Sequence, residues 1–296
     1  MRNFLNAKRR PRGFTLVEMV IVIVITGIIG AMVAVFIRVP VQGYIDTTAR
    51  AVLADTADTA ARRLTRDVRL ALPNSVRVSA NGLFLELLLT KTGGRYLSDS
   101  DPAGSGNVLG FDPAQTYTNS FTVVGAMPAN ALGARQAISV GDQIVVYNLG
   151  GAYAPNNAYA CSAANGCNRA PVTGVAGGVV TLGSYPFATA PAPLPSPSNR
   201  FQVVSTPVTY ACDLTNGTLT RYAGYTIQAI QPVVEGTAPL ATGALLARQV
   251  AACTFSYTVL ANVQRGLVNI DLSLGVANSN TGVLRLVQQV QARNTP

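Results

Sequence analysis

The side chains that could do chemistry in this sequence are four cysteines, 13 acidic residues and 22 basic residues, because its 296 residues include no histidine. Without an imidazole, the Ser-His-Asp and Cys-His arrangements of hydrolases and the histidine-containing zinc sites are excluded. The cysteines form no C-x-x-C motif, which disfavours redox catalysis. The inventory therefore predicts no enzyme, and no cofactor or metal site.

One carboxylate, Glu18, stands at the start of an apolar segment. Residues 19–37 carry no charge, and this length is close to the ~20 apolar residues with which a helix crosses a bilayer. Many of these residues are β-branched, but a backbone in lipid must satisfy its own hydrogen bonds, which favours a helix. A carboxylate costs about 2.5–3.5 kcal/mol at the centre of a membrane and less near the interface. Glu18 therefore implies a charged partner.

The flanks of this segment distinguish a membrane anchor from a cleaved secretory signal. Five basic residues and no acid lie in the first 13 positions, which predicts a cytoplasmic N-terminus and a chain that continues outward. A secretory signal has an apolar region of roughly 7–15 residues and a small-residue cleavage site. Here the run is longer, and Arg38, Val39 and Pro40 follow it. We expect a single-pass segment, although a plain anchor leaves Glu18 unexplained.

Translocation into an oxidising compartment would favour disulfides between the four cysteines. Cys161 and Cys167 lie in one Gly/Asn/Ala-rich stretch, whereas Cys212 and Cys253 lie at the edges of predicted strands. Three pairings are possible in principle. A local bridge between Cys161 and Cys167 is the most direct and leaves Cys212 with Cys253. A zinc site of four thiolates is disfavoured, because such sites typically use cysteines that are closer in sequence, as in C-x-x-C pairs.

The segment Arg12-Gly13-Phe14-Thr15-Leu16-Val17-Glu18 resembles the class III signal of type IV pilins and type II secretion pseudopilins. The resemblance implies that a prepilin peptidase cuts between Gly13 and Phe14 and methylates the new N-terminus at Phe14. It also implies that Glu18 is the assembly glutamate, which attracts the N-terminal amine of a neighbouring subunit. Such an amine would be the missing partner, because charges in a low-dielectric setting attract strongly when paired and are costly alone.

A helical pattern continues beyond the apolar segment to Leu72, and Pro73 ends it. Apolar residues recur at steps of three and four along one weak stripe. Pro40 predicts a kink or a break, because it lacks a backbone donor. The stripe consists of Ile45, Ala49, Val52, Thr56, Ala60, Leu64, Val68 and Ala71.

From residue 75 the pattern changes to strands, and Asn81-Gly82 and Asn216-Gly217 predict tight hairpins. Gly-, Pro- and Asn-rich stretches at 98–115, 150–178 and 185–199 predict loops. We expect an α+β, type IV pilin-like fold with a long N-terminal helix packed on an antiparallel β-sheet head. Its parts are a leader (1–13), a transmembrane or fibre-core half-helix (14–39), an amphipathic half-helix (40–72) and a head (73–296). The predicted strands are 75–79, 83–89, 121–124, 143–149, 179–182, 200–213, 218–225, 253–260, 267–274 and 283–291.

The formal charge of +9 suggests an acidic partner, but five of its positive charges lie in the leader. Removal of the leader leaves 17 basic and 13 acidic residues, or +4. Acidic residues interleave the remaining basic group, and no aromatic residue accompanies it. A solvated helix face is therefore favoured over nucleic-acid binding. The group consists of Arg62, Arg63, Arg66, Arg69 and Arg77.

Other segments narrow the expected role. Residues 38–46, 62–67 and 71–77 resemble the MshO group of minor pilins of the mannose-sensitive haemagglutinin (MSHA) pilus. Residues 253–257 and 287–296 resemble the terminal strands of that group and of the related PilW and type II secretion J-type minor subunits. The resemblance implies a minor pilin that primes fibre assembly at or near the tip. The implied partners are prepilin peptidase, other pilins or pseudopilins, the inner-membrane assembly platform and inner-membrane lipid.

The resemblance also implies a location, namely an inner-membrane helix with a periplasmic head that later reaches the cell surface in the fibre. A J-type minor pseudopilin for protein export is the main alternative. A DNA-uptake pilin and a membrane-anchored enzyme are less favoured, because the residues supply neither an aromatic-lined basic surface nor a catalytic group.

Overall fold

The computed structural model describes residues 13–101, 106–127, 136–260, 265–275 and 282–295, apart from the side chains of Val39 and Leu260. These residues form one long helix followed by strands that pair in antiparallel fashion. This is the α+β architecture expected from the sequence, and it is consistent with a type IV pilin-like fold. The basic residues of the predicted leader lie outside the described residues.

Helix α1 spans Leu16–Arg69 and continues through Pro40 without a break. It ends three residues before the predicted end, where the amide of Leu70 still donates to the carbonyls of Arg66 and Asp67. The chain divides into two compact units, Met1–Val52 and Leu53–Pro296. Each unit is described by itself.

The first unit contains the apolar part of α1. An 18-residue window of this helix has a mean hydropathy of 3.0 and no buried residue. By length and composition the segment can cross a membrane, which fits the anchor of a single-pass protein. Large apolar side chains from Phe14 to Ile37 are each about half exposed or more. Such a surface needs lipid or apolar protein around it.

The second unit begins with the last turns of α1, which bury Leu53, Ala57, Ala60, Leu64 and Val68. The predicted stripe is correct from Ala60 onward, but Val52 and Ile45 are exposed. A four-residue step advances 400° around a helix of 3.6 residues per turn. A stripe built on steps of four therefore drifts off the core face, and Leu53 and Ala57 take the places expected for Val52 and Thr56.

Two sheets follow the helix. The larger sheet has the strand order β1-β2-β3-β6-β5-β4-β7-β8-β9, with a further pairing between β2 and β7, and the smaller has the order β10-β11-β12. The first six strands are β1 (Arg77–Val78), β2 (Phe84–Tyr96), β3 (Ser120–Val124), β4 (Gln143–Val146), β5 (Arg169–Ala176) and β6 (Val179–Leu182). The others are β7 (Arg200–Asp213), β8 (Thr218–Ala223), β9 (Gly243–Arg248), β10 (Val250–Leu260), β11 (Arg265–Leu274) and β12 (Leu284–Arg293).

The extra pairing between β2 and β7 closes six strands into a ring, in the order β2-β3-β6-β5-β4-β7. Strands β3 to β7 each bury two residues spaced by two, as expected where alternate side chains face one interior. These residues form a separate core with Tyr96, Leu109, Ile138 and Phe187. The pairs are Phe121 and Val123, Ile144 and Val146, Ala170 and Val172, Val180 and Leu182, and Phe201 and Val203.

Residues 97–199 are thus an insertion between two strands that are themselves neighbours. The main core lies outside the ring and joins α1 to β2, β7, β8 and the three-stranded sheet. It includes Leu64, Leu85, Tyr210 and Ile270. The insertion adds its own core and accounts for much of the length of the head.

Most predicted strands are confirmed, and residues 179–182 and 200–213 match β6 and β7 at both ends. The prediction of a loop over 150–178 was wrong for β5, and β9 was not predicted. In β5, Pro171 and Gly174 interrupt the alternation of apolar residues, and in β9 exposed alanine and leucine weaken it. Both strands form because their neighbours supply backbone partners.

The cysteines form two disulfides, Cys161 with Cys167 and Cys212 with Cys253, as the sequence analysis favoured. The first closes a short loop of the insertion. The second joins the end of β7 to β10 and therefore links the larger sheet to the smaller one inside the main core.

Replacing both Cys212 and Cys253 with alanine should lower the free energy of unfolding more than the same change at Cys161 and Cys167. The separations are 41 and 6 residues, and the chain-entropy model gives about 4 and about 2 kcal/mol for such loops. Denaturant unfolding of the purified full chain in detergent measures both. Equal losses would contradict the entropic explanation.

Candidate processing and assembly site

Helix α1 begins with a capping box made by Thr15 and Glu18. The Glu18 amide donates to Thr15 Oγ1 at 3.3 Å, and the Thr15 amide donates to Glu18 Oε2 at 3.2 Å. The Thr15 hydroxyl also donates to Glu18 Oε2 at 3.2 Å. This reciprocal pair satisfies donors that the first turn of a helix leaves open. Both side chains are exposed, so the carboxylate remains accessible to a further donor.

Gly13 and Phe14 precede the first turn. Apart from its chain neighbours, no described residue has an atom within 4 Å of a Cβ built on Gly13, and Phe14 is 81% exposed. The peptide bond between them lies outside the helix, where an extended backbone can enter a protease. Cleavage there would place a charged amine one residue before Thr15 and four before Glu18. The assignment of Gly13, Phe14 and Glu18 to processing and assembly stays a prediction.

Near its other end, α1 is joined to the larger sheet by the buried carboxylate of Asp67. Its Oδ2 accepts from Arg221 Nε at 2.6 Å and from the Tyr210 hydroxyl at 2.8 Å. The Asp67 side chain is only 4% exposed. Burial is the main reason that the pKa of Tyr210 is raised, and the nearby Asp67 carboxylate raises it further. The Tyr210 hydroxyl therefore stays neutral and can donate its hydrogen bond. A charged pair and a tyrosine thus fix the end of the helix on β7 and β8.

A second buried ion pair joins Arg77 of β1 to Glu86 of β2, with Nε and Oε2 2.6 Å apart. Glu86 is fully buried, and its other oxygen accepts from the Tyr225 hydroxyl at 2.9 Å. Burial raises the pKa of Glu86, and the Arg77 contact opposes that rise. The guanidinium of Arg77 also stacks on Tyr159 of the insertion, 3.7 Å from the ring centroid.

Arg77 further donates to two carbonyls of the loop after β8, Gln228 O at 2.9 Å and Ala229 O at 2.8 Å. One side chain therefore connects β1, β2, the insertion and this loop. These contacts of the Arg77 guanidinium are all with other parts of the head. Arg77 is therefore a structural residue of the head.

The structure separates the arginines that the sequence grouped together. Arg62 pairs with Asp58 at 2.6 Å on an exposed face, as expected for a solvated helix. The prediction was wrong for Arg77, because α1 ends at Arg69 and Arg77 lies in a strand, partly buried, beside Glu86. Arg63 and Asp67 have the i,i+4 spacing of a surface helix pair, but the Asp67 side chain is only 4% exposed. That pair is long, at 3.9 Å, and Arg221 is the closer partner.

The profile of the prokaryotic N-terminal methylation motif matches residues 8–34. The match covers Gly13, Phe14, Glu18 and the first turns of α1. Comparison with curated proteins and with solved structures gives no match. The resemblance to MSHA minor pilins therefore has no support beyond the segments that suggested it.

The motif, the long apolar helix and the antiparallel head together indicate a type IV pilin-like or pseudopilin-like protein. Such a motif implies processing by a prepilin peptidase and association with other pilins. The same features fit a single-pass membrane anchor.

The N-terminal motif is visible in the sequence because its residues are consecutive. Sequence reasoning missed the pair of Asp67 with Arg221 and the pair of Arg77 with Glu86, whose partners are 154 and 9 residues apart in the chain. The only available signal was the isolation of Glu86 within the apolar run of β2. A lone carboxylate in a buried strand requires a partner.

Proposed function

We propose that this chain is a minor pilin, of the MshO-like MSHA type, that is cut between Gly13 and Phe14 and held in the inner membrane with its head in the periplasm. It is then incorporated at or near the pilus tip, where it helps to prime assembly. The observation that carries the proposal is the methylation motif at residues 8–34, placed at the start of an exposed apolar helix. The proposed role is structural, with no catalytic step.

The exposed helix supports this role physically. A helix in lipid has all its backbone hydrogen bonds satisfied internally, and the same apolar side chains can later pack on neighbouring helices. Residues 97–199 add a second core to the head that is not needed for packing against α1. A head enlarged in this way supports the role of a minor, low-copy subunit.

A J-type minor pseudopilin of a type II secretion system would use the same helix and the same motif. The two roles differ in output, which is surface pili in one case and exported proteins in the other. Deletion of the gene should reduce piliation and leave protein export unchanged. Lost export with normal piliation would replace the proposal with the pseudopilin role.

Replacing Glu18 with glutamine should reduce surface piliation by at least about tenfold, which a loss of ~1.4 kcal/mol is enough to produce. Glutamine preserves the capping box, since Glu and Gln both serve at this position, but it removes the charge that attracts a neighbouring amine. Sheared surface fractions measure piliation. The mass of the membrane-bound protein should still show a methylated Phe14 as the N-terminus.

The matched control is Thr15→Ala, which breaks the capping box at a cost of about 0.5–2 kcal/mol and keeps the charge. It should assemble better than Glu18→Gln. If Glu18→Gln assembles normally while Thr15→Ala fails, Glu18 serves only to cap the helix. An unprocessed Met1 terminus in the wild-type protein would remove the proposal itself.

A further inference from the structure

Strand β12 forms an open edge of the three-stranded sheet. All ten of its residues pair with β11, and among the described strands none pairs with its other side. An edge strand leaves alternate backbone amides and carbonyls without ladder partners. The edge of β12 is therefore a template on which a further strand can be added.

Three arginines converge beside this edge. Arg69 ends α1, Arg265 begins β11 and Arg293 ends β12, and together they line a cavity of about 550 Å³. The cavity's other described lining residues are Gln289, Val290, Gln291 and Ala292. Because five consecutive residues of β12 line it, the cavity follows the edge of the strand. We call it the arginine edge pocket.

Among the described residues, no carboxylate neutralises the arginine edge pocket. Its described lining contains no acidic residue, and none of its three arginines takes part in an ion pair within the described parts of the chain. Arg265 and Arg293 are direct cross-strand partners, an arrangement that destabilises a sheet. Arg265 is held toward the edge by its hydrogen bond to Gln291 Oε1 at 3.0 Å.

At the other end of β12, by contrast, an arginine does have a carboxylate partner. Arg285 donates to both oxygens of Asp271 on β11, at 2.9 and 2.5 Å. If the arginines served only to keep edges from aggregating, charge on β12 alone would be enough. The pocket instead gathers guanidinium groups from a helix and two strands at one place.

We propose that the edge of β12 receives an extended, acidic segment of a partner protein. The segment adds as a strand along 289–293 and places its carboxylates against Arg69, Arg265 and Arg293. The backbone of β12 supplies main-chain hydrogen bonds, and the guanidinium groups supply charge-assisted ones. This inference goes beyond the proposed function and does not depend on it.

The occupant follows from the shape and charge of the pocket. A free phosphate would use the arginines but not the open backbone edge. A second copy paired edge to edge through β12 would bring its own Arg285 and Arg293 toward this cationic strand, and like charges oppose that arrangement. A partner strand with acidic side chains can pair with the open backbone edge and can also place carboxylates against the arginines.

The test uses the purified full chain in detergent and labelled peptides of ten residues, the length of β12. A peptide with glutamates on both faces of its central residues and valines on either side should bind in fluorescence anisotropy, because Arg265 and Arg293 share one face of the sheet and Arg69 approaches from the helix on the other. Each of Arg69→Gln, Arg265→Gln and Arg293→Gln should weaken binding by about tenfold, as expected for loss of a hydrogen bond between charged groups. All three residues are exposed, so the variants should fold. The matched control is Arg248→Gln, an exposed arginine in β9.

Two further probes separate strand addition from simple anion binding. The same peptide with alternate N-methylated amides keeps its charge but cannot complete a ladder, and it should lose most of its affinity. Inorganic phosphate and a short DNA duplex should compete poorly. The proposal is overturned if the N-methylated peptide binds equally well, if phosphate or DNA binds the arginines more tightly than the peptide, or if the three variants bind like Arg248→Gln.

Discussion

Replacing Asp67 with alanine is expected to lower the free energy of unfolding of the head by about 3–5 kcal/mol, the range for removing one partner of a buried ion pair. The change leaves Arg221, whose side chain is 12% exposed, without its carboxylate. It also removes the acceptor of the Tyr210 hydroxyl, which is buried in the main core. An unsatisfied buried hydroxyl is itself costly. Denaturant unfolding of the full chain in detergent measures the loss.

The matched control is Asp58→Ala, which removes the exposed pair with Arg62 on the same helix. That side chain is 52% exposed and its partner 77%, so the expected loss is much smaller than that of Asp67→Ala, because solvent screens exposed ion pairs. If the two variants lose the same stability, the Asp67 contact does not hold the helix on the sheet. Asp67→Asn should be intermediate, because its amide oxygen still accepts from Tyr210.

Replacing Arg77 with alanine should destabilise the head by a similar amount, about 3–5 kcal/mol near pH 8, because Glu86 then keeps a buried charge without a cation. Burial already raises the pKa of Glu86 in the wild-type chain, and only the Arg77 and Tyr225 contacts oppose this. Without Arg77 the pKa rises further. The lost stacking on Tyr159 and the two lost carbonyl contacts add to the cost.

The pH dependence identifies the cause of the loss. A carboxylate with a higher pKa in the folded chain than in the unfolded chain stabilises the fold at low pH, and this contribution is lost as the pH rises through the folded pKa. Arg77→Ala should therefore recover stability as the pH falls below that value. The double variant Arg77→Ala, Glu86→Gln should lack this recovery. A loss that is the same at every pH would mean that packing alone explains it.

The sequence was informative wherever a signal was local. The two Asn-Gly turns and the strands β6 and β7 depend on neighbouring residues, and each could be assigned from composition and spacing. The turn glycines Gly82 and Gly217 adopt positive φ values of 71° and 61°, as that assignment requires.

The sequence was least informative where distant residues meet. Asp67 has the spacing of a surface helix pair, and only the fold reveals that Arg221 comes closer from β8. The arginine edge pocket has no local signal, because Arg69 and Arg265 lie almost 200 residues apart in the chain. In both cases the decisive contacts are set by sheet register, which periodicity does not determine.

The insertion of residues 97–199 between β2 and β7 has an evolutionary consequence. Arg95 and Arg200 face each other in the ladder, so the inserted chain leaves and returns at adjacent points. Segments with neighbouring ends can be gained, lost or exchanged with little effect on the surrounding core. The helix that carries the processing motif and the ring of strands on the head can therefore change under separate selection. Under the proposed function, the inserted part of the head could vary while the N-terminal helix stays unchanged.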